Sequence, residues 1–363
     1  MNELPVIVLY AGLAIGVVFG AVGLLSGFCS LSGLRNWWIA RDTQMIRSFA
    51  LAMAVAIIAT QALAAFGFVD LGKSLYLQPS FSPALILFGA LIFGYGMVLA
   101  NGCASRAVVL IGQGNLRSLL VVIVIAITAQ MTLKGLLAPA RLAVLNGTAQ
   151  TPPAVSLTGL LSDAGLGASW GQLLAVAVVC VPLLYVALAT GRLRPAARLL
   201  AAGAAIGLLV TAGWFATGTL GDDDFSPAPV ASLTFVAPAA DALQYVMLST
   251  GLQLNFGIAL VAGIVIGSLV TALVTRRFRL EGFVSARHML RSLTGAALMG
   301  AGGAMAYGCT IGQGLTGIST LALPSFIAVA GYIGGVWVGL RGPIRVPALS
   351  APVTSPATAE ATN

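Results

Sequence analysis

The chain has little charge. Asp, Glu, Lys and Arg make up 8% of its 363 residues, against about 25% in soluble domains. That excludes a soluble globular enzyme, and the dominance of apolar residues excludes a disordered chain. Histidine is scarcer still, with His288 standing alone. One His supports neither paired-His haem ligation in a bilayer nor a Ser-His-Asp catalytic set, and beside a basic loop it reads as an interfacial residue. Asp and Glu are missing from the interiors of the long apolar runs, where proton-coupled pumps usually carry them. The four cysteines, Cys29, Cys103, Cys180 and Cys309, are widely separated. Their spacing speaks against a disulfide-stapled secreted domain and against a Cys-x-x-Cys oxidoreductase. Zinc lacks ligands, and the nine Met are scattered with no Met-x-x-x-Met copper path. No metal or cofactor is expected, and no nucleotide-binding motif occurs.

What is present is apolar: 59% hydrophobic residues and 44 glycines. The expectation is an all-α polytopic membrane protein. A bilayer core of about 30 Å needs about 20 apolar residues per helix. Charge-free runs of that order occur at Leu4–Leu34, Ser48–Val69, Ser74–Ser105, Ser118–Leu133, Ala164–Gly191, Leu199–Gly221 and within Ala242–Thr275. Ser292–Leu340 is too long for one helix, and Pro324 divides it. About nine spans are expected. The connections Leu71–Ser82, Ala138–Ser162 and Thr219–Ala240 are the longest, and no soluble domain stands apart.

The formal net charge is +8, with only Lys73 and Lys134 among the 18 positive residues not being Arg. No basic cluster is interleaved with aromatics, so nucleic acid is not a partner; the lipid bilayer is. Arg35, Arg41 and Arg47 follow span one, Arg192, Arg194 and Arg198 span five, Arg276, Arg277, Arg279, Arg287 and Arg291 span seven, and Arg341 and Arg345 span nine. The link after span six carries instead Asp222, Asp223, Asp224 and Asp241. Cytoplasmic links hold the Arg, which sets the N-terminus outside and the C-terminus in the cytoplasm, with Lys134 and Arg141 as an exception. The start, with Glu3 and no basic n-region, reads as a retained first helix. Residues 1–345 are expected to form one transmembrane domain, and the Pro/Ala/Thr/Ser-rich segment 346–363 is expected to be disordered.

Two segments match at a constant offset of 206 (Gly94 to Gly300, Gly96 to Gly302, Gly102 to Gly308, Cys103 to Cys309). Gly112-Gln113-Gly114 and Gly312-Gln313-Gly314 follow at different distances. Glycine-rich membrane helices can look alike through shared packing needs. Yet spans three and eight, five apart, cross in opposite directions. That suits an inverted repeat (about 4–135 and about 245–340) with a binding site near the midplane. Helices that break inside apolar segments must bury or hydrate their freed backbone groups, and a new helix N-terminus favours anions. Broken or re-entrant helices lining an anion pathway are expected.

Cys29, Cys103 and Cys309 each follow glycine closely, whereas Cys180 lies among bulky apolar residues and reads as packing. The segments Gly27-Phe28-Cys29, Asn101-Gly102-Cys103-Ala104-Ser105-Arg106 and Tyr307-Gly308-Cys309-Thr310-Ile311-Gly312-Gln313-Gly314-Leu315-Thr316-Gly317 resemble the YeeE/YedE sulphur-transport family, whose members include thiosulfate uptake proteins of the bacterial inner membrane. The likeness runs from about Gly12 to Gly339. It implies nine membrane helices plus short re-entrant ones, a pseudo-two-fold hourglass with a central constriction, and Cys29, Cys103 and Cys309 as stations for thiosulfate through S–H···S hydrogen bonds. The stretch Gly263–Thr271, expected to match the first station, has no Cys.

Such a route suits a dianion with hard oxygens and one soft sulfur. Stripping its water is costly unless replaced, and conduction needs weak, repeated binding. Neutral thiols meet that need, and apolar burial keeps them protonated. Backbone N–H groups near Gly102 and Gly308, and the amides of Gln113 and Gln313, are candidate oxygen donors. Each Gln also reads as a cap or packing bond. Arg106 is either a vestibule attractor or a cytoplasmic anchor. The expected function is a permease, not an enzyme. A transporter of another sulfur or selenium anion and a membrane thiol enzyme stay open as alternatives, and a cytoplasmic sulfur-accepting protein would be a natural partner.

Overall fold

In a computed structural model, residues 6–188, 196–221, 228–283, 285–342 and 346 are described. The expected segment 347–363, Asp222–Asp224 and Arg192, Arg194 and Arg345 lie outside them. The described residues are helical: α1 (Val6–Ser26), α2 (Ser30–Arg35), α3 (Gln44–Ala65), α4 (Pro83–Ala100), α5 (Ala104–Gly112), α6 (Leu116–Leu133), α7 (Ala138–Thr148), α8 (Leu157–Leu161), α9 (Ala168–Leu188), α10 (Ala197–Gly218), α11 (Val236–Met247), α12 (Phe256–Val274), α13 (Ala286–Met305) and α14 (Leu323–Arg341), with wider π-type turns at Asn36–Ala40, Ser162–Leu166 and Gly312–Gly317.

Among the described residues, eight helical segments are long and apolar enough to cross a membrane. The expected span missing from these eight is span eight, α13, of 20 residues, whose Arg287, His288, Arg291 and many glycines hold down its hydropathy. Span seven proves shorter than its charge-free run, because α11 forms separately before α12. The long connections are not bare loops either, since Ala138–Ser162 holds α7 and α8.

Local chemistry starts these helices where the apolar runs begin. Ser82, Asn115, Asn255 and Ser285 accept from the N–H three residues on, at 3.0, 2.8, 2.9 and 3.2 Å, satisfying one orphan donor each. Pro83 adds a preset φ at the first position of α4.

The helices pack in matched pairs. α1 lies along α12 and α3 along α10, while α4 lies along α14 and α6 along α13. α4 and α13, the two helices that run into cysteines, pack on each other. Exchanging the series α1–α6 with α10–α14 carries each of these packings into its partner. The α1–α12 contact is backbone-close: a Cβ on Gly263 would lie 2.3 Å from Leu13 O, and one on Gly16 2.3 Å from Leu260 O. Only small residues permit that approach.

The Arg-rich links gather on one face. Ala196 N donates to Gln44 Oε1 at 2.8 Å, Arg198 to Leu25 O at 3.0 Å, Arg279 N to Gln113 O at 3.0 Å, and Arg341 to Trp38 O. The opposite face joins the other helix ends, as where Thr219 donates to Phe68 O at 2.6 Å.

Candidate functional site

Each of the three cysteines stands at a helix break built the same way. The residue two before it is left-handed: Gly27 at φ 68, Asn101 at φ 55 and Tyr307 at φ 56. α4 and α13 close with the same bond, Gly102 N to Met97 O at 3.1 Å and Gly308 N to Gly303 O at 2.9 Å, the six-to-one contact of a Schellman turn. Asn tolerates this conformation readily. Tyr307 does not, and its turn is braced by Tyr332, whose hydroxyl donates to Gly308 O at 2.8 Å. Cys29 and Cys103 then take the N-cap positions of α2 and α5 without a side-chain cap bond, while the Gly312 N–H faces Cys309 Sγ. At Cys309 this is an N–H···S bond of 3.3 Å.

The breaks meet inside the protein. Cys29 Sγ and Cys103 Sγ, 74 residues apart in sequence, touch at 3.3 Å as free, buried thiols. Ser105 Oγ lies 3.3 Å from Cys103 Sγ. Next to Cys29, Ser30 Oγ donates to Thr310 Oγ1 at 3.0 Å, which ties the first break to the one holding Cys309. The spacing argument against a close thiol pair is thereby corrected: folding supplies the proximity that the sequence distance hid.

Cys180 is elsewhere, in a separate buried cluster with Ile57, Ala175, Ile318 and Leu321, as a packing residue would be. Gln313 is buried, and both ends of its amide are engaged, the nitrogen donating to Ala306 O at 2.6 Å and the oxygen accepting from Ser325 Oγ at 2.7 Å. Gln113 is not brought to the thiols; it donates to Arg277 O at 3.3 Å in an exposed turn. Arg106 donates to Gly23 O at 3.0 Å, pinning α5 against the end of α1. The N–H groups of Gly102 and Gly308 are used by their turns.

Two cavities flank the Cys309 loop. One of about 120 Å³ includes Tyr76, Ser232, Thr234, Tyr307 and Gly308 and lies toward the Arg-poor face. The other, about 280 Å³, includes Cys29, Ser30, Met97, Thr310 and Tyr332 and reaches α2 and the start of α3. Gly308 and Thr310, either side of Cys309, thus line different cavities. Ser30, Thr310, Ser105 and Thr234 were not singled out from the sequence, although Ser30 and Thr310 adjoin cysteines; adjacency was the available signal. The position 206 after Cys29 is Phe235, which caps α11 as Cys29 caps α2.

A chain whose described residues hold eight apolar membrane-length helices, with helix breaks meeting in its buried interior, is a multi-pass membrane protein. It belongs to the sulphur transport family, whose model matches residues 25–338. It is similar to the thiosulfate transporter TsuA of Escherichia coli (strain K12), with 28% identity over 90% of this chain and 92% of that protein. It is also similar to the thiosulfate transporter TsuA of Spirochaeta thermophila, at 26% identity over 91% and 97%. The probable transporter YedE of Escherichia coli is 36% identical over a shorter stretch, 25% of this chain and 21% of that protein.

Proposed function

We propose that this protein is a thiosulfate permease of the bacterial inner membrane, passing the ion between neutral thiols at a central constriction. The carrying observation is the convergence of three matched helix breaks, with Cys29 and Cys103 in contact at 3.3 Å and Cys309 tied to them through Ser30 and Thr310. Full-length similarity to two thiosulfate transporters supports the substrate. The cavities on either side of the Cys309 loop support a constriction, and the paired helix packings support an inverted repeat, its second unit extended back to α10. The gathering of Arg-rich links supports a cytoplasmic location for that face, with the N-terminus outside.

The physical logic is that of weak, repeated donors. A thiol offers one S–H to the soft sulfur without charge that would trap a dianion. Gln313, already bonded twice, holds the loop shape; Arg106 fastens α5. The test is growth on thiosulfate as sole sulfur source in a strain lacking other importers. Cys103→Ala or Cys309→Ala abolishes growth at normal expression; normal growth with both replaced sinks the relay.

The touching thiols favour a second reading, a membrane thiol enzyme acting on a sulfur compound. It requires a persulfide or mixed disulfide on Cys29 or Cys103 during turnover. Mass spectrometry that finds only free thiols rejects it.

A further inference from the structure

Thiols answer only one end of a thiosulfate ion. Its three oxygens carry much of the negative charge and need hydrogen-bond donors harder than S–H. Within the loops that hold the cysteines, one pair of hydroxyls is placed for that work. Ser30 and Thr310 directly follow Cys29 and Cys309, bond to each other at 3.0 Å, and both line the larger cavity. Gly308 lines the smaller one, so the short way between the cavities passes Cys309 and this bridge.

We propose that the Ser30–Thr310 pair is a substrate contact, taking the oxygen end of the ion while Cys29, Cys103 and Cys309 take its sulfur end. This rests on the thiosulfate reading above and assigns the division of labour within it. The pair suits the role because its hydrogen bond is exchangeable. When the ion arrives, the two hydroxyls part and each turns its O–H to an oxygen. At rest their one bond uses the Ser30 O–H, with Thr310 Oγ1 accepting, and two charge-assisted bonds replace that one neutral bond after, an exchange that favours entry without a fixed charge to hold the ion. When the ion leaves, the bridge re-forms. Ser30 has a further weak partner at rest, Met97 Sδ at 4.0 Å, which is easily given up.

The two ends then control different quantities. Sulfate presents oxygens and no terminal sulfur, so the hydroxyl pair sees both anions, and the thiols alone tell them apart. Removing a hydroxyl weakens both anions; removing a thiol weakens thiosulfate selectively.

The experiment is uptake of radiolabelled thiosulfate by the full chain in liposomes, with unlabelled sulfate as competitor. Thr310→Val, which keeps the shape and loses the hydroxyl, is expected to raise the KM for thiosulfate about tenfold or more, the range of one hydrogen bond to a charged group. Its sulfate inhibition constant rises in step, so the ratio of the two is unchanged. Thr310→Ser restores both to within about threefold, and Ser30→Ala behaves as Thr310→Val. Cys309→Ala, in contrast, loses most thiosulfate uptake, and in what remains the thiosulfate KM rises while the sulfate constant does not, so KM divided by the sulfate constant rises. Wild-type uptake with an unaltered KM in Thr310→Val and Ser30→Ala overturns the assignment while leaving the permease intact. Equal damage in Thr310→Val and Thr310→Ser, with a lowered melting temperature, makes the bridge purely structural and also overturns it. Absence of thiosulfate uptake by the wild type overturns the permease reading itself, and the assignment with it.

Discussion

Replacing Gln313 by Leu separates a loop-shaping amide from an ion-contacting one. The side chain is buried at 1% exposure, and its amide spans the break, donating to Ala306 O at 2.6 Å and accepting from Ser325 Oγ at 2.7 Å. Leucine fills similar volume but leaves a carbonyl and a hydroxyl unpaired. In soluble cores each such orphan costs about 1–3 kcal/mol, whereas hydrogen bonds between membrane helices average about 0.6 kcal/mol. Two partners lost together give about 2 kcal/mol. For a chain longer than 250 residues that is about 3–6 °C in melting temperature, extending the trend of smaller domains. Because the loop carries Cys309, thiosulfate uptake falls with it. Gln313→Glu keeps the acceptor for Ser325 but turns a carboxylate oxygen toward Ala306 O, and is expected to be at least as damaging. The assays are thermal melting in detergent and liposome uptake. A Gln313→Leu protein with unchanged melting temperature but lost uptake refutes the structural role and returns the amide to the ion pathway. Unchanged values in both refute any role.

Three further outcomes follow from the packing. Gly263→Val sets a branched side chain where a Cβ already lies 2.3 Å from Leu13 O, so α1 and α12 are pushed apart; a melting temperature lower by several degrees or loss of folded protein is expected on size-exclusion chromatography, since overpacking costs about 1–3 kcal/mol or more. Cys180→Ser, in a cluster apart from the three other cysteines, keeps thiosulfate uptake within about twofold of wild type while lowering stability modestly, measured by the same two assays. A trivalent arsenical that bridges vicinal thiols joins Cys29 to Cys103, which touch at 3.3 Å, and peptide mapping finds the bridge absent in Cys29→Ala and retained in Cys180→Ser.

Much of this architecture is written in composition. A charge-free run long enough to cross a bilayer has few alternatives to a helix, because hydrocarbon leaves backbone groups no other partner. Hence α1, α3, α4, α6, α9, α10 and α14 fall inside or close to their expected runs. α13 is harder to read, since Arg291 and its glycines dilute its apolar signal. The helices inside the links, α7 and α11, were missed because each is short and bounded by no charge pattern that separates it from its neighbours.

At the site, the residues were legible and their meeting was not. Gly-Cys pairs mark breaks because a helix ending in a left-handed turn needs glycine or asparagine nearby, as at Gly27 and Asn101. Nothing in a linear chain shows that the first two breaks bring sulfur against sulfur, or that Ser30 reaches Thr310 across 280 positions. Gln113 and Gln313 share a motif, yet one lies in an exposed turn and the other in the core. The motif is a turn signal, and the surroundings decide what its amide does.

The most direct measurement is radiolabelled thiosulfate uptake into liposomes holding only the purified full chain, with and without an imposed ion gradient, for wild type and Cys103→Ala. A permease built on thiols predicts saturable uptake by the wild type and loss of at least nine-tenths of it in Cys103→Ala, with the melting temperature preserved. Uptake equal in the two proteins, or none in a well-folded wild type, contradicts it.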